Sequence, residues 1–175
     1  MEKKAINLKE TSFTQAINIS AQWCKEWEEE LLSEEVLADR VAELIKTKNG
    51  LRGFFAYALS DQNCYLLDKL PFSFVFKLRE VGISVVEIVV KNLIMSSAQI
   101  VFHDRENNLK YKSNSLAISE RCKSILRVLD TKSVTKNINQ IMNNLDNLGN
   151  SFDNSNKYDD KQKEFIKYQI FDIAQ

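Results

Sequence analysis

His103 is the one histidine among the 175 residues, and Asp104 and Glu106 follow it closely. An imidazole beside carboxylates is a minimal set for a general base or a metal ligand. A count of one limits that chemistry. Paired Glu-x-x-His di-iron sites, His-Glu-x-x-His zinc sites and three-histidine sites all need more. A simpler reading places His103 near the end of a helix, where an imidazole meets the negative pole of the helix dipole. Asp104 and Glu106 then stand in solvent. An enzyme using His103 with Asp104 and Glu106 is kept as an alternative.

The cysteines, Cys24, Cys64 and Cys122, are widely spaced and form no Cys-x-x-Cys. Cys24 and Cys122 fall on apolar helical stripes, where a thiol acts as a small, inert hydrophobe. Cys64, between Asn63 and Tyr65, reads as a loop residue and the candidate reactive thiol. An odd number of dispersed thiols fits a reducing cytoplasm. Neither a phosphate loop nor a nucleophile elbow is present, and Gly50-Leu51-Arg52-Gly53 lacks the length and the Lys-Ser/Thr of the former. No cofactor is implied.

Binding is the other class. The chain holds 24 basic and 24 acidic residues, which argues against a dominant nucleic-acid footprint. A basic segment runs from Arg105 through Lys110, Lys112 and Arg121. It ends at Lys123 and Arg127, which share a helix face suited to an acidic partner. The acidic run from Glu26 to Glu35 reads as a solvated face. Trp23 and Trp27 are one helical turn apart; Trp27 is assigned to the core, and Trp23 is left open between core and interface. Val134, Ile138, Ile141, Leu145 and Leu148 step by four, three, four and three, a heptad seam just over two repeats long. So short a seam must pack on its own domain, a second copy or another protein. Phe54, Phe55, Phe72, Phe74 and Phe76 could instead line a pocket for an apolar ligand such as a lipid, pigment or tetrapyrrole.

The elements that must position these residues read as helices. Four glycines and one proline are too few for a turn-rich β fold. Ser12 with Gln15, and Ser84 with Glu87, form capping boxes. Ser33 resets the phase of the first stripe (Phe13, Ile17, Cys24, Trp27, Leu31), and Asn49-Gly50 is expected to stop the helix that follows. Phe72 to Arg79 alternates like a strand, yet Pro71 before it and Gly82 after it punctuate a helix, and a lone strand would lack a partner. Residues 83–106 form an apolar helix of the kind that is buried. Glu87 and Lys91 interrupt it, which argues for a soluble core helix and against a membrane span. Residues 104–115 read as turn-like, and a further helix covers 116–130. The expectation is an all-α, single-domain helical bundle over 1–130 around the central helix, with an Asn-rich, amphipathic helical extension over 131–175 that is partly flexible.

Arg52-Gly53-Phe54-Phe55, with Val89-Val90-Lys91-Asn92-Leu93-Ile94-Met95-Ser96, resembles a pattern in uncharacterised helical proteins of cyanobacteria. The resemblance covers roughly residues 15–130 and implies a helical fold with no assigned chemistry. The leading expectation is a non-enzymatic cytoplasmic protein acting through protein–protein contact or self-association, as a regulatory or assembly factor.

Overall fold

The computed structural model describes residues 7–145 and 157–173. Among these it is all-α, with nine helices and no strand. The chain divides into two compact units, Met1–Val85 and Val86–Gln175.

In the first unit a 3₁₀ turn, Leu8–Glu10, precedes α1 (Phe13–Glu28), α2 (Glu34–Leu44), α3 (Lys48–Ser60), the single turn α4 (Leu66–Lys69) and α5 (Phe72–Val81). Local chemistry sets the starts. The Gln15 N–H donates to Ser12 Oγ at 3.3 Å, and the Ser12 N–H donates to Gln15 Oε1 at 2.9 Å, which closes the expected capping box. Ser33 caps α2 through the Val36 N–H, and Glu34 and Glu35 occupy its first turn. Helix α5 settles the competition between strand and helix. Phe74, Val75 and Leu78 turn inward together, a helical grouping. Gly82 ends α5 at φ 78°, a left-handed position that glycine takes without steric cost.

Two expectations fail here. Asn49-Gly50 does not stop α2, which ends at Leu44; both residues lie in the first turn of α3, capped by Thr47. Gly50 answers a close approach: a Cβ there would lie 1.8 Å from the Leu44 carbonyl oxygen. The buried face of α1 is also rotated from the expected stripe. Ala16, Ile19, Ser20, Trp23 and Cys24 are buried, whereas Leu31 lies beyond the helix end and is exposed. The cause is the α1–α3 crossing, where Ala16 meets Gly53. Trp23 therefore belongs to the core, and Trp27 is half-buried under the Lys69 ammonium.

The second unit contains most of α6 (Ile83–Arg105), then α7 (Leu109–Val128), α8 (Thr131–Asn143) and α9 (Asp160–Phe171). The α6 helix begins at Ile83, so Ser84 sits inside its first turn and not at the cap expected of it. Val85, Val86, Val89, Val90, Leu93 and Ile94 are buried. By length and composition α6 could cross a membrane, yet 61% of its most apolar window is buried inside the protein. A tight αL turn ends it. The Asn107 N–H donates to the Asp104 carbonyl and the Asn108 N–H to the His103 carbonyl, with Asn107 at φ 53°. Asn108 then accepts from the Tyr111 N–H and starts α7 seven residues before the expected 116. One good cap outweighs the polar composition of 109–115.

Helix α9 is fastened at both ends within this unit. Asp159 caps it and accepts a two-pronged ion pair from Arg105 at 2.6 and 3.0 Å. At the far end, Asp172 accepts from Lys123 at 2.9 Å and from Arg127 at 3.2 Å. Between them, Gln162 donates to the Ala98 carbonyl and the Ser119 hydroxyl donates to Gln169.

Candidate functional site

The groove between α2 and α5 collects exposed aromatic and acidic side chains. Pro71 offers α5 no side-chain cap, and Glu34 of α2 supplies one by accepting the Ser73 N–H at 2.9 Å. Lys77 then bridges the helices, 3.1 Å from Asp39 of α2 and 3.1 Å from Glu80 of its own helix. Hydrogen bonds to Asp39 first, and then to Glu80, raise its pKa above the usual lysine value. With α5 held this way, Phe74 faces inward, while Phe72 and Phe76 project outward one turn apart, 80% and 50% exposed.

These two rings, with Glu35, Ala38, Asp39, Ser73 and Lys77, line an open groove of about 280 Å³. A second hollow of about 590 Å³ continues along the seam past Asp39, Glu43, Lys46, Lys77 and Glu80. Four carboxylates thus face two ammonium groups. Both ammonium groups are already engaged by acids, Lys46 by Glu43 and Lys77 by Asp39 and Glu80. The net field is negative.

The other sequence candidates lie elsewhere. Phe54 and Phe55 are fully buried, their rings 5.1 Å apart, and Phe74 packs 5.9 Å from Phe54. The proposed aromatic pocket is therefore split, with three rings in the core and two in solvent. His103 donates from Nε2 to Gln99 Oε1 at 3.1 Å and stacks on Tyr111. Asp104 is turned to Lys112 at 2.6 Å, whose hydrogen bond lowers its pKa, and Glu106 is exposed. Among the described residues no three His, Cys, Asp or Glu side chains gather as a metal set.

Lys123 and Arg127 already have an acidic partner in this chain, Asp172. The Lys123 side chain is only 6% exposed; burial opposes its charge, but hydrogen bonds to Glu120 and Asp172 outweigh it and raise the pKa. On the heptad seam, Val134 and Leu145 are buried and Ile138 and Ile141 half-buried, with Asn137 buried beside them; Leu148 lies outside the described residues. Cys64, expected in an open loop, is fully buried, and a hydrogen bond with Cys64, then burial, hold the Cys24 thiol well above its ordinary pKa. Sequence reasoning missed this pairing and the acidic rim of the groove. A helical wheel of 72–81, with 72 and 76 opposite 74, 75 and 78, carried the signal for the exposed aromatic pair.

A family model described as Uncharacterised conserved protein UCP020893 matches residues 12–173. The chain belongs to that family. The match spans both units and includes the tail, which the resemblance read from sequence had left outside. No curated protein and no solved structure matches the chain. Exposed aromatic rings and a surplus of carboxylates are the accessible chemistry of the groove.

Proposed function

We propose that this protein acts through protein–protein contact, as a regulatory or assembly factor, and that a partner docks on the α2–α5 groove. The observation that carries the reading is the outward pair Phe72 and Phe76. Aromatic side chains held in solvent with no structural use are enriched at binding hot spots. The partner that fits is an amphipathic helix with Lys or Arg flanking its apolar face. Two rings one turn apart match apolar anchors one turn apart on such a helix. The surplus of two negative charges, Glu35, Asp39, Glu43 and Glu80 against Lys46 and Lys77, favours a basic partner and disfavours an acidic one.

The heptad seam and the Lys123–Arg127 face support this reading less, because Val134 and Leu145 are buried and Lys123 and Arg127 are paired with Asp172. The apolar-ligand alternative is weakened by the packing of Phe54, Phe55 and Phe74 against one another. Three dispersed thiols support a cytoplasmic location. Kinship with helical proteins of cyanobacteria rests on the Arg52–Phe55 and Val89–Ser96 patterns and adds no chemistry.

The test compares two helical peptides that share one apolar face and differ only in Lys or Glu flanks. Binding of the Lys-flanked peptide, weakened about tenfold or more by Phe72→Ala with Phe76→Ala, is expected. Equal binding by the double variant would remove the groove from the reading.

A further inference from the structure

The second unit presents an aromatic face of its own, on α9. Ile166 and Ile170 turn inward, with Gln162 and Gln169 hydrogen-bonded to Ala98 and Ser119. On the outer side Tyr168 and Phe171 stand one turn apart, 69% and 71% exposed. Phe165 lies one turn before Tyr168, the two rings 6.2 Å apart. Asp159 and Asp172 pin the ends of α9 through Arg105, Lys123 and Arg127, so the helix holds this face toward solvent.

The charges around the face are the converse of those in the groove. Lys157, Lys161, Lys163 and Lys167 stand in α9 or just before it. Arg105 neutralises Asp159, which leaves Asp160 and Glu164 against the four lysines, a surplus of two positive charges. The groove of the first unit sets four carboxylates against Lys46 and Lys77, beside two exposed rings one turn apart. Other surfaces of the second unit fit it less well. Leu109, Tyr111 and Leu116 of α7 are exposed, but Asp104 and Glu106 balance Lys110 and Lys112 there. Helix α8 carries Lys132 and Lys136 with no acid, but it buries Val134 of its apolar face.

We propose, resting on the groove as a docking surface, that its occupant is a second copy of this chain, which lays the outer face of its α9 between α2 and α5. Tyr168 and Phe171 meet Phe72 and Phe76, and offset or edge-to-face aromatic pairs gain beyond the area they cover. The lysines of α9 meet the carboxylate rim, which sets the register and speeds encounter. Neither copy has to unfold anything: α5 keeps its cap from Glu34, and α9 keeps its ion pairs. Each copy carries one groove and one α9, so the contact is heterologous, and copies add head to tail or close a ring. One groove and one helix face make a small interface, so the assembly is reversible and micromolar.

Sedimentation velocity of the full chain across a concentration series tests this. The mean mass should rise from 20.2 kDa through multiples of it, and less steeply in high salt. Phe72→Ala with Phe76→Ala should weaken assembly about tenfold or more, and so should Tyr168→Ala with Phe171→Ala. All four side chains are at least half exposed, so both variants should keep the wild-type helix content by circular dichroism. The decisive sample mixes the two variants, where one supplies an intact α9 and the other an intact groove. The mixture should form a dimer and stop there, at a concentration where each variant alone is monomeric. Without any variant, the Lys-flanked peptide should dissolve the wild-type assembly. A wild-type chain that stays monomeric while that peptide binds the groove would overturn the inference and leave the groove reading standing. Neither assembly nor peptide binding would end both. Assembly that survives either double variant, or a mixture that stays monomeric, would also overturn it. So would a monomer in which Tyr168→Ala with Phe171→Ala shifts the Phe72 and Phe76 amides, since α9 of the same chain would then fill the groove.

Discussion

Gly53→Ala tests the packing on which the first unit rests. In a free helix this change stabilises by about 1 kcal/mol. Here a Cβ at Gly53 would lie 2.5 Å from the Ala16 Cβ, 2.9 Å from the Phe13 carbonyl oxygen and 3.1 Å from the Ile17 nitrogen. Two of these neighbours are backbone atoms, which cannot rotate away. Reaching ordinary contact at 3.4–4 Å forces α1 and α3 apart by about an ångström. Overpacking of this kind costs about 1–3 kcal/mol. A gap opened along the seam also forfeits roughly a quarter to a half of the dispersion well for atoms lining it. The upper end of the cost, less the helix gain, leaves a net destabilisation of about 2 kcal/mol. Urea unfolding followed by tryptophan emission reads it directly, because Trp23 and Trp27 both lie on α1. The midpoint should fall by about 1 M. Adding Ala16→Gly removes the nearest clash and should restore part of the loss. A Gly53→Ala protein as stable as the wild type, or more so, would refute the close crossing.

Glu30 ends α1 at φ 58°, with the Leu31 N–H on the Glu26 carbonyl and its own N–H on the Trp27 carbonyl. Glu30→Gly should therefore stabilise the first unit by about 1 kcal/mol in the same titration, by relieving the left-handed strain. In the second unit Asp104, Asp130, Asp159 and Asp172 all titrate below the ordinary 3.8, with Asp159 at about 2, chiefly through its hydrogen bond to Arg105. Carboxylates depressed in the folded state contribute stability that is full above 3.8 and is lost as pH falls toward 2. The protection factors of the α9 amides, exchange rates taken relative to the free peptide at each pH, should fall steadily as the pH drops through that window. Asp172→Asn should free the C-terminal end of α9 at neutral pH, with faster exchange there and unchanged exchange in α1 and α3.

Local signals carried the helix starts. Ser12 with Gln15, and Ser33, cap through atoms within three residues, so sequence alone exposes them. Pro71 and Gly82 likewise decided α5 against an alternating Phe72–Phe76 pattern. Some failures were local, as where Thr47 and Asn108 cap helices that start earlier than expected; the others arise from contact between residues distant in sequence. The inward face of α1 is set by Ala16 against Gly53, two small residues that an apolar-stripe reading passes over. Cys64 looks like a loop thiol until Cys24 is placed beside it. Lys123 and Arg127 look free because Asp172 lies more than 40 residues downstream. The candidate site was half legible: Phe72 and Phe76 were singled out, but as pocket lining, since their outward direction follows only from the inward packing of Phe74, Val75 and Leu78.

The most direct measurement is an amide chemical-shift titration of the isotope-labelled full chain with the Lys-flanked and Glu-flanked peptides. Docking on the groove predicts that the Lys-flanked peptide alone perturbs Glu35, Asp39, Phe72, Phe76 and Lys77, saturating in the micromolar range, and that Phe72→Ala with Phe76→Ala abolishes the effect. Perturbations confined to other surfaces, or no discrimination between the two peptides, would contradict it.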